Sequence, residues 1–200
     1  LFDGTSLDAW KIPEGDGGHW KITDGVIDYD GKSEAKGDKN LWTKEAFRNF
    51  VLKIDWRFPR EPVKIQERVI LPSGETSDER QEVLDAGDSG IFLRGTGKAQ
   101  INIWCWPCGS GEVWGYRNDK NQPPEVRRAC TPLVRADKPP GEWNTFEITM
   151  TGDRLTVVLN DQKVIDNAQL PGVPEEGPIA LQHHGDPIQF RNIAIKKLED

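Results

Sequence analysis

Two histidines stand side by side at His183 and His184, and the third lies far away at His19. Imidazole is the side chain whose proton comes off near neutrality, so acid–base chemistry is looked for here first. On a strand, successive side chains point to opposite faces, so His183 and His184 face different surroundings. Leu181 belongs on the core side, which puts Gln182 and His184 together on the other face. His184 is therefore a candidate proton carrier with Gln182 beside it, and a structural or solvated role is expected of His183.

Gly87-Asp88-Ser89-Gly90 resembles the nucleophile turn of chymotrypsin-type proteases. A nucleophilic serine needs a histidine base, an orienting acid and donors for the oxyanion. None of the three histidines has those surroundings, and Ile91 begins a strand at once, so the segment reads as a tight turn feeding a strand. Cys105-Trp106-Pro107-Cys108 has C-x-x-C spacing but lacks the helix and βαβ context of a redox motif, and it lacks the second pair of a zinc site. With Cys130 the count is odd; a disulfide from Cys130 to Cys105 or Cys108 is favoured over three reduced thiols. No H-x-H or H-E-x-x-H spacing occurs, so no metal is expected, and a structural Ca²⁺ has no motif behind it.

Tryptophan is core by default, and Trp56 and Trp143 sit among core-phase neighbours. Trp104, Trp106 and Trp114 instead cluster in a Gly/Pro-rich stretch, interleaved with Asn102, Glu112 and Tyr116. An indole offers a flat apolar face to the C–H bonds of a pyranose while amides read its hydroxyls, a combination that suits sugars. Strand faces carry Asp55, Arg57, Arg94, Gln100, Asn102, Gln182 and His184, a set able to bind, acidify and abstract. A two-carboxylate glycosidase would need paired acids, for which Asp55, Glu112 and Glu142 are the candidates.

Period-2 alternation dominates the elements that must hold these groups. In residues 51–58, Leu52, Ile54, Trp56 and Phe58 share one face, and Lys53, Asp55 and Arg57 the other. Strands are also expected at 91–94, 100–104, 143–150, 154–160, 163–165, 178–184 and 188–195, with Thr151-Gly152-Asp153 closing a hairpin. Helical periodicity is nearly absent; a turn around 44–47 and part of 78–86 are the candidates. Residues 59–87, with three Pro, seven acids and four bases, read as an excursion between core strands. Short strands with turns between them describe an all-β, two-sheet antiparallel sandwich or jelly roll in one domain, 1–200.

The 200 residues suffice to bury a core without staples. The net charge of -7 argues against a nucleic-acid partner and a polybasic membrane surface. No apolar run reaches the length of a membrane span. Eight Trp, 20 Gly and 14 Pro suit a loop-rich β protein that binds something flat. Leu1-Phe2-Asp3-Gly4 opens with neither a charged n-region nor an apolar h-region, so a signal segment either never existed or has been removed.

A set of short segments in order along the chain resembles one family, the 3-keto-disaccharide hydrolase domain. They are Leu1-Phe2-Asp3-Gly4 with Trp10, Trp20-Lys21-Ile22 with Asp24-Gly25, Leu41-Trp42-Thr43, and Asp55-Trp56-Arg57-Phe58. Asp88-Ser89-Gly90-Ile91 with Arg94 follows, then Pro139-Pro140-Gly141-Glu142-Trp143-Asn144. Gly177-Pro178-Ile179-Ala180-Leu181-Gln182 with His184-Gly185, and Phe190-Arg191-Asn192-Ile193, complete the set. The resemblance implies a concanavalin A-like lectin/glucanase fold, a carbohydrate ligand, and a bacterial protein that is secreted or held in the periplasm or envelope; no cofactor is expected.

It also implies a chemistry. A ketone at sugar C3 acidifies the C2 proton; a base removes it, the C1 aglycone leaves by elimination, and water adds back. On matched positions and strand phase, His184 or Asp55 would be the base and Arg94 the enolate stabiliser. Gln182, Asn102, Gln100 and Arg57 would read hydroxyls, with Trp104 or Trp114 as stacking surface. Family members commonly carry Glu-Ile-Gln-Ile followed by an acid where this chain has Gln100-Ile101-Asn102-Ile103-Trp104-Cys105. An amide in place of that carboxylate keeps the hydrogen-bonding shape and loses the proton chemistry. A non-catalytic carbohydrate-binding domain is thus the second reading, and a structural module of a larger envelope protein the third.

Overall fold

The computed structural model describes residues 1–199. One sheet has five strands in the order β1 (Trp10–Lys11), β4 (Leu41–Phe47), β13 (Gly177–Leu181), β8 (Ser89–Leu93) and β9 (Thr96–Ile103). The other has seven: β12 (Gln162–Gln169), β11 (Arg154–Leu159), β10 (Asn144–Thr151), β5 (Phe50–Arg57), β14 (Ile188–Lys197), β3 (Val26–Tyr29) and β2 (Trp20–Thr23). Neighbouring strands in both sheets pair antiparallel. The alternation read from sequence builds the layer between them. Leu52, Ile54 and Trp56 of β5 and Phe146, Ile148 and Met150 of β10 are buried with Ile91, Leu93, Ile101, Ile103, Ile179 and Leu181 of the five-stranded sheet. Each such side chain contributes about 1.5–3 kcal/mol on leaving water.

Both expected helical segments are strands. Residues 44–47 end β4, and 78–86 fall largely in β7 (Thr76–Asp85), which pairs with β6 (Val63–Ile70) as a separate hairpin. Sheet pairing overrides the weak local pattern in each case. The helices are short: α1 (Trp114–Arg117) and α2 (Pro124–Ala129). The β6–β7 arm is tied down at both ends. At its base Arg60 bridges Asp85 and Asp186, and at its tip Arg127 pairs with Glu75 while Arg117 donates to Thr76 Oγ1 at 3.3 Å.

The three cysteines are free, correcting the favoured disulfide. Cys105 is held instead by the segment before β8, its Sγ accepting the Ala86 N–H at 3.4 Å. Trp143 is also a correction: it lies half-buried with the Arg57 and Arg191 guanidinium carbons 4.6 and 4.0 Å from its ring centroid, on the outer face of the seven-stranded sheet.

Candidate functional site

The outer face of the five-stranded sheet carries a layer of side-chain amides. Gln100 and Asn102 alternate outward on β9 while Ile101 and Ile103 enter the core. Their register partners on β8 are Phe92 and Gly90. Just past β13, the Gln182 N–H donates to Gly90 O at 2.9 Å, which brings Gln182 into the same row. Gln100 Nε2 donates to both Asn102 Oδ1 and Gln182 Oε1, each at 2.9 Å. Gly90 is needed here for space: a Cβ would stand 2.6 Å from Gln100 Nε2 and 3.0 Å from Gln182 Oε1. Among the described residues Gln182 Nε2 and Gln100 Oε1 remain unengaged, a donor and an acceptor free for a ligand.

The row continues past the sheet edge. Asn102 N–H donates to Glu112 O and Gly111 N–H to Asn102 O, both at 2.9 Å, so the 111–112 segment extends the sheet beside β9. Glu112 is wholly buried and takes Arg117 Nε at 2.9 Å and Nη2 at 3.3 Å, with Asn102 Nδ2 at 3.5 Å. A buried carboxylate survives through such a two-pronged arginine partner.

Two residues before Gly90 sits Asp88, in outward phase with Gly90 and Phe92 and about 6.6–6.8 Å along the strand from the row. Its N–H donates to Asp186 Oδ2 at 3.0 Å, and Asp186 Oδ1 accepts Arg60 Nη1 at 2.8 Å. Gly87 allows this approach, since a Cβ there would come within 2.9 Å of Asp186 Cβ and of the Phe58 ring. Burial, followed by the negative charges of Asp186, Glu112 and Asp85, pushes the Asp88 carboxyl up to about 7. A carboxyl poised near neutrality beside free amide groups can take and return a proton. Ser89 next to it is buried, with Oγ donating to Gln182 O at 2.9 Å, and so is a structural tie.

The residues singled out from sequence are spread over several places. Gln100, Asn102 and Gln182 come together as described, and His184 lies exposed in the loop two residues after Gln182. His183 goes elsewhere: its Nδ1 meets the Tyr29 hydroxyl and its N–H donates to Asn40 Oδ1 at 2.8 Å. Burial, then the charges of Lys39 and His184, hold its pKa below the ordinary value.

Asp55 and Arg57 are on the far side of the molecule. Asp55 accepts Thr145 Oγ1 at 2.7 Å, Arg191 Nε at 3.2 Å and Asn192 Nδ2 at 2.8 Å, and Arg57 Nε donates to Gln189 Oε1 at 2.8 Å. These partners line the outer face of the seven-stranded sheet, a full sandwich away from the amide row. Asp55 is therefore separated from Gln100, Asn102 and Gln182 by the two sheets.

Arg94 is 2% exposed and binds backbone: Nε donates to Arg48 O at 2.9 Å, and Nη1 to Gly152 O at 2.7 Å and Pro174 O at 3.0 Å. It pins loops and cannot reach an enolate on the amide row. Trp104 is 4% exposed, stacked on Trp106 at 4.2 Å with Nε1 donating to Gly109 O at 2.7 Å, so its ring packs a loop. Trp114 is 42% exposed at the start of α1, where the Val113–Ile101 bridge sets it beside the β9 edge. Asp88, Asp186 and Arg60 were missed, although the 88/90/92 phase, read with 100/102, was available as a signal for Asp88. Among the described residues no group of three or more His, Cys, Asp and Glu is placed to hold a metal ion.

One protein-family model, described as a 3-keto-alpha-glucoside-1,2-lyase-like domain, matches residues 1–196. A candidate glycosyl hydrolase of Parabacteroides distasonis ATCC 8503 is similar in structure, at 27% identity and a TM-score of 0.63, over 99% of this chain and 82% of that one. A second from the same organism has 19% identity and a TM-score of 0.65, covering 100% and 93%. A third has 24% identity and a TM-score of 0.52, covering 94% and 99%. No curated protein matches the chain.

Proposed function

Because this chain belongs to the 3-keto-alpha-glucoside-1,2-lyase-like domain family, we propose that it breaks the glycosidic bond of a 3-keto-glycoside by elimination. The observation that carries the reading is the Asp88 carboxyl, held near neutrality beside an amide row with a free donor and a free acceptor. Asp88 takes the C2 proton, and the C–H electrons form an enolate whose charge rests on the C3 oxygen. Gln182 Nε2 donates to that oxygen, the oxyanion stabilisation such a step requires. The enolate then collapses: C3=O re-forms, C1=C2 forms, and the C1–O bond to the aglycone breaks. Water returns a proton to the leaving oxygen. Water added across C1=C2 completes hydrolysis to the free 3-keto sugar. Secretion or residence in the periplasm or envelope rests on the family resemblance alone.

The test is aglycone release from methyl 3-keto-α-glucoside by wild type and Asp88→Asn. Loss of the base is expected to lower kcat by about 10²–10⁴-fold with KM little changed. Full activity in Asp88→Asn would sink the assignment of the base. A wild type that binds the glycoside and never releases aglycone would establish the second reading, binding without turnover. Gln100 favours that reading, because an amide donating two hydrogen bonds occupies the position where the family resemblance implies a carboxylate.

A further inference from the structure

A second row crosses the same face next to the amides. Trp42 on β4 is the register partner of Ala180 on β13, Ala180 of Phe92 on β8, and Phe92 of Gln100 on β9. The first row, with Gln182, Gly90 and Asn102, is displaced from it by two residues, about 6.6–6.8 Å along the strands. That offset suits one sugar ring and its glycosidic oxygen. Ala180 is fully buried although it points outward, and the half-buried rings of Trp42 and Phe92 flank it, centroids 6.0 Å apart and inclined at 51°. Trp42 Nε1 donates to Asp38 Oδ2 at 2.6 Å. That bond fixes the indole and uses its donor, so the part of the ring left to solvent is apolar.

We propose that Trp42 and Phe92 form the platform for the aglycone ring of the substrate, a second pyranose whose C–H face lies on the indole while the reacting ring lies over Gln182, Gly90 and Asn102. The proposal rests on the lyase reading for which ring reacts. The two residues are then determinants of specificity: they favour glycosides whose leaving group is a sugar over those that release a small alcohol. Stacking holds the aglycone equally in ground and transition state, so its loss appears in KM.

The experiment compares a 3-keto-glucosyl-glucose disaccharide with methyl 3-keto-α-glucoside, using wild type, Trp42→Ala and Trp42→Phe. Trp42→Ala is expected to lower kcat/KM for the disaccharide about tenfold through KM while the methyl glycoside stays within twofold, and Trp42→Phe to recover part of the loss. An equal loss on both substrates in a variant with unchanged melting midpoint, or no loss on either, overturns the platform. If Trp42→Ala does not fold, Trp42→Phe decides alone by the same selective rise in KM. If wild type turns over neither substrate, the lyase reading fails by itself, and calorimetry with the intact disaccharide still tests the platform. Weaker binding in the Trp42 variants upholds it, and equal affinity or no binding by wild type overturns it.

Discussion

Asp88 owes its raised proton affinity first to burial and then to charged groups from three other parts of the chain. Asp85 precedes it on the arm, Asp186 comes from the β13–β14 loop, and Glu112 extends the β9 edge, while nearby Arg60 pairs with Asp85 and Asp186. With a base titrating near 7, kcat/KM should rise with pH through the neutral range and level above it, since only the carboxylate abstracts a proton. Asp186→Asn removes the largest of the neighbouring charges, so the acidic limb should move to lower pH while the backbone tie can be kept by the amide oxygen. A pH–rate profile checks this, and an unmoved limb would show that another group is the base. At this scale the sequence was a partial guide. Gln100, Asn102 and Gln182 were legible because alternation assigns a face. Asp88 was not, because its residue type marks a turn as readily as a base.

The elements place these residues through close backbone contacts that alternation does not reveal. Gly31 has φ +82°, and a Cβ there would lie 2.4 Å from Gly185 O in the loop that carries His184 and Asp186. Gly31→Ala is expected to cost about 1–3 kcal/mol, measured by urea denaturation, and to lower activity by displacing that loop. A variant with wild-type stability would show that the loops do not touch as described. On β14 a register shift between Arg191 and Ala194, with Asn192 at φ +51°, turns Arg191 and Asn192 together onto Asp55. A bulge of this kind re-aims side chains, and here it makes Asp55 part of a tied surface network. The helix expectations at 44–47 and 78–86 failed for a related reason: short mixed segments take the conformation their neighbouring strand offers.

At the scale of the molecule, one apolar layer between two sheets holds the fold, and Cys105 and Cys130 join it as packing groups. Burial pushes the Cys105 thiol up to about 11 and Cys130 up to about 12, which keeps both protonated and unreactive. The melting midpoint should therefore be the same with and without dithiothreitol. A fall on reduction would mean that a disulfide carries part of the stability. A chain of this size closes a sufficient core without one.

From the sequence alone came the strands β5 and β8–β14, their core faces, the antiparallel sandwich, the family and the amides of the proposed site, because period-2 alternation and ordered short segments are local signals. The tertiary structure decided which outward faces belong together. Asp55 with Arg57 and Gln100 with Asn102 alternate identically along the chain. Yet β5 and β9 lie in different sheets, and the outer faces of a sandwich point in opposite directions. That choice is made by strand pairing between distant residues, and it left Asp88, Asp186 and Arg60, rather than Asp55 and Arg94, beside the amides.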